Sequence, residues 1–133
     1  MRTLVFPYLR FGAQFAPIIP VTIFSRNLAF KTEAYVDSGA FYSIFRSEVL
    51  ETLQLRKDQG RLKMLKAADG NFIPGHLFRL PLQIGDVKIR ALVAFSEELK
   101  VGFNLLGRQT VFSCFGEVAF NERQRKVVFR LRK

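Results

Sequence analysis

The segment Tyr35-Val36-Asp37-Ser38-Gly39-Ala40 sets a carboxylate directly after an apolar strand and follows it with a hydroxyl and two tiny residues. Glycine at such a place lets another backbone approach closely, and the hydroxyl can donate or accept within the turn. An acid at a strand end could serve acid–base chemistry. By itself the tetrapeptide equally describes an ordinary Asp-Ser-Gly turn, because these residues favour turns. A second segment, Asn104-Leu105-Leu106-Gly107-Arg108, follows the apolar run Leu92 to Phe95 and a loop, and its Gly107 stands seventy residues after Asp37.

Few other groups compete for a chemical role. The aspartates are Asp37, Asp58, Asp69 and Asp86, and only Asp37 has the Asp-Ser-Gly setting. Asp58 falls in a polar loop and Asp86 in a hairpin turn, while Asp69 reads as a turn former. The single histidine, His76, follows Pro74-Gly75 and reads as a loop residue. Any histidine-dependent triad would have to use it. The single cysteine, Cys114, sits among phenylalanines and reads as a buried, inert thiol. One cysteine excludes an intramolecular disulfide framework and a multi-cysteine zinc site. There is no phosphate-cradling glycine loop and no dinucleotide fingerprint, so neither a metal nor a cofactor is expected.

The chain's 133 residues suit one domain spanning 1–133, and 49% apolar with 24% charged residues is enough to build a core. A net charge of +10 admits nucleic acid, an acidic membrane surface or an acidic partner. The basic residues gather at Arg123 to Lys133 and Arg56 to Lys66 without an aromatic-interleaved signature. They read as solvated strand and loop faces, and a nucleic-acid partner is not expected. The apolar start, Met1 to Phe24, is broken by Pro7, Arg10, Gly12, Gln14, Pro17 and Pro20. Those breaks argue against a signal peptide and a membrane-spanning helix, so no membrane partner is expected and a cytoplasmic location is the default.

The elements that must position Asp37 are mostly strands. Leu28 to Val36 alternates with period two, preceded by the β-branched run Ile18 to Phe24 and a turn at Ser25-Arg26-Asn27. Leu80 to Ile84 and Val87 to Ala91 alternate about Gly85-Asp86, which predicts a tight hairpin. Phe115 to Phe120 and Lys126 to Leu131 flank polar Asn121 to Gln124 and predict a third. Ser47 followed by Glu48, Leu50, Glu51 and Leu53 predicts a serine-capped helix of about two turns. A second short helix is expected across Gly107 to Cys114. The fold class is mainly β, a closed or strongly curled sheet with one or two short helices.

The Asp37 and Gly107 segments, at this spacing on this β background, resemble the retropepsin-like aspartic proteases in the style of bacterial members. There an apolar strand leads into Asp-Thr/Ser-Gly-Ala, and a later apolar-apolar-Gly-Arg/Asp segment opens a short helix. Pro20 to Val36 is similar to the family's strand pair, and Ser43-Ile44-Phe45 to the segment after the active loop. The resemblance runs roughly from Pro17 to Leu131 and implies a closed acid-protease barrel that works as a homodimer on a peptide or protein substrate. It makes Asp37 the catalytic carboxylate, one from each subunit, because this chain has only one such segment. Ser38 would join the two loops across the dimer axis, Gly39 would turn its carbonyl to substrate, and Ala40 would keep the floor low. Ala67, Ala68, Asp69, Gly70 and Phe72 would belong to a mobile flap. Gly107 and Arg108 would be structural support. Many members carry an acid after the active loop for that arginine, but here Phe41 stands there. Glu48 or another acid must then pair with Arg108, or the arginine faces water. Phe41, Phe45 and Phe72 would supply apolar subsite walls. The stretch 1–16 has no counterpart and reads as an N-terminal extension or extra strand, at a dimer interface or covering a sheet edge. Two alternatives stand beside an aspartic endopeptidase: a non-catalytic peptide-binding or dimerisation module on the same fold, and a basic nucleic-acid-binding β domain.

Overall fold

A computed structural model describes residues 2–66, 69–99 and 101–132. The period-two segments form strands as expected. β1 (Thr3–Pro7), β2 (Leu9–Phe11) and β3 (Gln14–Ala16) precede β4 (Ile18–Ser25) and β5 (Leu28–Val36). Then come β6 (Ser43–Arg46), α1 (Glu48–Thr52) and β7 (Arg61–Lys66). The chain ends with β8 (Phe72–Ile84), β9 (Val87–Ser96), β10 (Asn104–Leu106), β11 (Phe115–Asn121) and β12 (Lys126–Leu131).

Three hairpins carry the frame. β4 and β5 pair from Ile18 with Tyr35 to Ser25 with Leu28. β8 and β9 pair from Ile84 with Val87 to His76 with Phe95, around Gly85 at φ +60°. β11 and β12 pair across the polar turn, where the Gln124 amide donates to Asn121 Oδ1 at 2.9 Å. β8 and β9 run longer than the alternation predicts, and His76 therefore sits inside a strand rather than a loop. Its Nδ1 is buried without a hydrogen-bond partner among the described residues.

Six strands close a mixed barrel in the order β4-β5-β10-β6-β9-β8, with β8 returning to β4 at Thr22–Gln83 and Ile23–Leu82. β7 hangs on β8 outside the ring. The barrel fills with one residue of each alternating pair: Ile19, Val21 and Ile23 from β4, Ala34 and Val36 from β5, Val93 and Phe95 from β9. A second sheet, β1-β12-β11, continues this core through Val127 and Phe129. Phe129 is fully buried, with the rings of Phe6 and Phe115 at 5.9 and 4.9 Å.

The helical expectations need correction. α1 forms where predicted and buries Val49 and Leu50, but Ser47 already has helical backbone angles and makes no capping bond. Across Gly107 to Cys114 the chain makes turns and a 3-10 helix at Phe112–Cys114. Thr110, at φ +64°, takes the left-handed conformation that an α-helix excludes. No helix among the described residues is long and apolar enough to cross a membrane.

Tyr8 joins the sheets to the 121–125 turn: its ring is buried and its hydroxyl donates to Glu122 Oε2 at 2.5 Å. Burial, then the bond to Glu122, pushes its phenol well above the ordinary tyrosine range. A raised folded pKa stabilises below the ordinary value and is lost above it. Stability to urea should therefore decline from about pH 10 upward, and less steeply in Tyr8→Phe. The ultraviolet titration difference between wild type and Tyr8→Phe should place the Tyr8 phenol above the ordinary tyrosine range. Phe129→Ala should cost about 3–5 kcal/mol in urea unfolding at neutral pH.

Candidate active site

β5 delivers Asp37 to the edge of the barrel. Ala34 and Val36 face inward and are buried, so the alternate positions, Tyr35 and then Asp37, face outward. The Asp37 amide donates to the Leu106 carbonyl at 3.0 Å, continuing the pairing of β5 with β10 by one residue. The loop then folds on itself. The Ala40 amide donates to the Asp37 carbonyl at 3.1 Å, and the Gly39 amide to Asp37 Oδ1 at 2.9 Å. One carboxylate oxygen is thus fixed by its own loop. Asp37 is half-buried, while Ser38 and Gly39 are exposed.

β10 occupies the slot between the two arms of that loop, parallel to β5 and antiparallel to β6. Both of its ends are pinned. Asn104 Oδ1 accepts from the Arg46 amide at 2.9 Å, and Asn104 Nδ2 donates to the Glu33 carbonyl at 3.1 Å. At the other end the Gly107 amide donates to Ser43 Oγ at 2.9 Å, a buried bond. The backbone here is too close for any side chain: a Cβ on Gly107 would lie 2.4 Å from the Tyr42 carbonyl oxygen. The amides of Arg108 and Gln109 donate to the carbonyls of Ala40 and Phe41 at 3.0 and 2.8 Å. The sequence signal for this role of Ser43 is only a hydroxyl at the head of an apolar run.

Arg108 faces solvent, its guanidinium 5.8 Å from the centre of the Phe41 ring. The acid that could have paired with it is engaged elsewhere: Glu48 meets Arg46 at 3.1 Å. That hydrogen bond holds the Glu48 carboxyl below its ordinary range. The remaining aspartates are also committed. Asp58 pairs with Arg56, Asp86 with Arg2, and Asp69 Oδ1 accepts from the Asn71 amide.

β7 and β8 form a hairpin whose last pair is Lys66 with Phe72. Ala67 and Ala68 lie outside the described residues. Asp69 and Gly70 stand at the tip, with Gly70 at φ +88°. One face of the hairpin seats Leu65, Ile73 and Leu77 on Ile44 and Ala94. The other leaves Leu62, Met64 and Phe72 exposed. Phe41 and Phe72 are open to a ligand, but Phe45 is not: it is fully buried against Phe95 and cannot wall a subsite. Cys114 is half-buried, its thiol on the Thr110 carbonyl.

Ser43→Ala would leave the Gly107 amide buried without its acceptor and should cost about 1–3 kcal/mol in urea unfolding. Arg108→Ala removes only an exposed ring contact and should cost less than about 1 kcal/mol. The reverse ranking would mean that the arginine, not the serine, holds the segment.

No protein-family model matches this chain, and no curated protein matches it in sequence. Among solved structures it is similar to a retropepsin-like aspartic protease from Rickettsia conorii, with a TM-score of 0.65 and 14% identity. The match covers 98% of this chain and 90% of that one. At that identity the likeness speaks for the architecture: the closed mixed barrel is a retropepsin-like fold.

Proposed function

We propose that the chain is an aspartic endopeptidase assembled as a homodimer, each subunit contributing Asp37. The observation that carries this reading is the Asp37 loop. Its carboxylate stands at the barrel edge with Oδ1 held by the Gly39 amide. The loop is bound to β10 through the Asp37 amide, and to Arg108 and Gln109 just after β10 through the carbonyls of Ala40 and Phe41.

A single carboxylate cannot both take a proton from water and give one to the scissile amide. Two carboxylates brought close repel when both are ionised, so the pair keeps one proton between them. The ionised member draws a proton from a water that attacks the carbonyl carbon. The protonated member donates to the carbonyl oxygen. The member that took the water's proton then passes it to the leaving amine as the C–N bond breaks, while a hydroxyl of the tetrahedral intermediate returns its proton to the other carboxylate. The pair titrates as a unit, so neither pKa belongs to one residue. Ser38 would tie the two loops, Gly39 and Ala40 would form the floor, and the β7–β8 hairpin, with Asp69, Gly70 and Phe72 near its tip, would close over the peptide and exclude water.

The Arg108 guanidinium, exposed beside the Phe41 ring rather than paired with an acid, favours a second reading: peptide binding on the same fold without turnover. The two differ in one experiment. Incubation with a diverse peptide pool at acidic to neutral pH, read by mass spectrometry, should show cuts by the wild type, strongest at about pH 4–6. Asp37→Asn should abolish them and leave fold and association state intact. Equal cutting by the variant would remove Asp37 from the chemistry, and binding without cuts by a well-folded dimer would favour the second reading.

A further inference from the structure

Strand pairing gathers on one outer face of the barrel cations that are scattered along the sequence. Lys31 of β5 stands opposite Thr22 of β4, Thr22 opposite Gln83 of β8, and Gln83 opposite Lys88 of β9. Residues paired in this way share a face, so these four form one outward row across four strands. Three steps of about 4.8 Å put its two lysines about 14 Å apart at the backbone. Arg90 lies two residues beyond Lys88 and pairs with Pro81. Arg79 lies two residues before Pro81, so both arginines continue the same face.

All four cations are exposed, and none belongs to an ion pair among the described residues. Acids nearby do not balance them. Glu33 shares the outward side of β5, and Asp86, in the β8–β9 turn, is taken by Arg2. Four cations therefore stand near one unpaired carboxylate. Their mutual repulsion is relieved when an anion is brought in from outside.

The face also narrows the kind of anion. No large apolar side chain is exposed in β4, β5 or β9. Phe24, at the centre, is half-buried, with the Lys88 ammonium 3.9 Å from the centre of its ring. Binders of single-stranded nucleic acid add open stacking rings to their cations, and membrane-surface binders insert apolar side chains. This face offers neither. Carboxylates on one side of an extended polypeptide recur about every 6.6 Å, so four or five acidic residues reach from Lys31 to Lys88. Lys31 precedes Asp37 by six residues on the outward alternation of β5, about 20 Å away.

We infer that this face docks an acidic polypeptide segment, which the protein substrate carries about six or more residues from the bond cut at Asp37. The link to cleavage rests on the peptidase reading above; the docking does not.

The test joins a glutamate tail, or a serine tail of equal length, to one cleaved peptide through a flexible Gly-Ser spacer able to span about 20 Å. At low salt the glutamate tail should raise kcat/KM by about five- to tenfold, through KM. The gain should shrink as salt rises. It should vanish in the double variant Lys31→Glu/Arg90→Glu and persist in Arg123→Glu/Arg132→Glu, which changes the net charge equally on exposed residues elsewhere. No gain in the wild type, or equal loss in both variants, overturns the surface. Fluorescence anisotropy of the labelled tails alone separates the two claims. If nothing is cut, the peptidase reading fails. Binding of the glutamate tail that Lys31→Glu/Arg90→Glu removes would still uphold the surface, whereas no binding, or binding that this variant leaves unchanged, would overturn it. Displacement of the bound tail by a lower concentration of oligothymidylate of equal charge would assign the face to nucleic acid and overturn it as well.

Discussion

The close approach of Gly107 to the carbonyls of Ala40 and Tyr42 is the contact on which the site depends. It lets β10 slide between β5 and β6, so that one short strand bonds to both arms of the Asp37 loop. A buried amide without an acceptor would cost more than the segment's packing could easily offset, and Ser43 Oγ supplies that acceptor. Asn104 does the same work at the other end with three bonds to β5 and β6. The Asp37 carboxylate is held in place by backbone, on a rigid frame, while its outer side stays open. This is the arrangement that positioned chemistry requires.

Charged groups contribute little to that rigidity. Each ion pair in the described residues is between exposed partners, a class worth about 0–1 kcal/mol. Stability comes instead from the closed barrel and from the second sheet, which brings Val127 and Phe129 into the same core. The separation is useful. Surface residues such as Arg108 and Phe41 can vary without loosening the loop, because its geometry is set by amides and carbonyls beneath them.

Much of the frame was legible from periodicity. The three hairpins follow from alternation about Gly85-Asp86, Arg26-Asn27 and the polar 121–124 stretch, because local patterning sets both strand faces and turn positions. What escaped depends on contacts between distant residues. His76 reads as a loop residue because Pro74-Gly75 precedes it, yet pairing with Phe95 draws it into β8. The expected helix after Gly107 is broken by Thr110, whose hydroxyl accepts from the Leu92 amide eighteen residues away. Ser47 has the right identity for a cap but a helical backbone that prevents it. At the site, Asp37 and Gly107 were visible as motifs. Ser43 and Asn104 stood within the segments that carry the resemblance, but their bonds to Gly107, Arg46 and Glu33 were not legible, since each forms only when β10 is in place.

The central claim is that one site needs Asp37 from two chains. Co-refolding wild-type chain with increasing amounts of Asp37→Asn chain, at constant total concentration, tests it most directly. If each site is shared, mixed dimers are inactive, and cleavage per wild-type chain falls in proportion to the wild-type fraction. Cleavage per wild-type chain that stays constant, however much Asp37→Asn chain is present, would contradict the account.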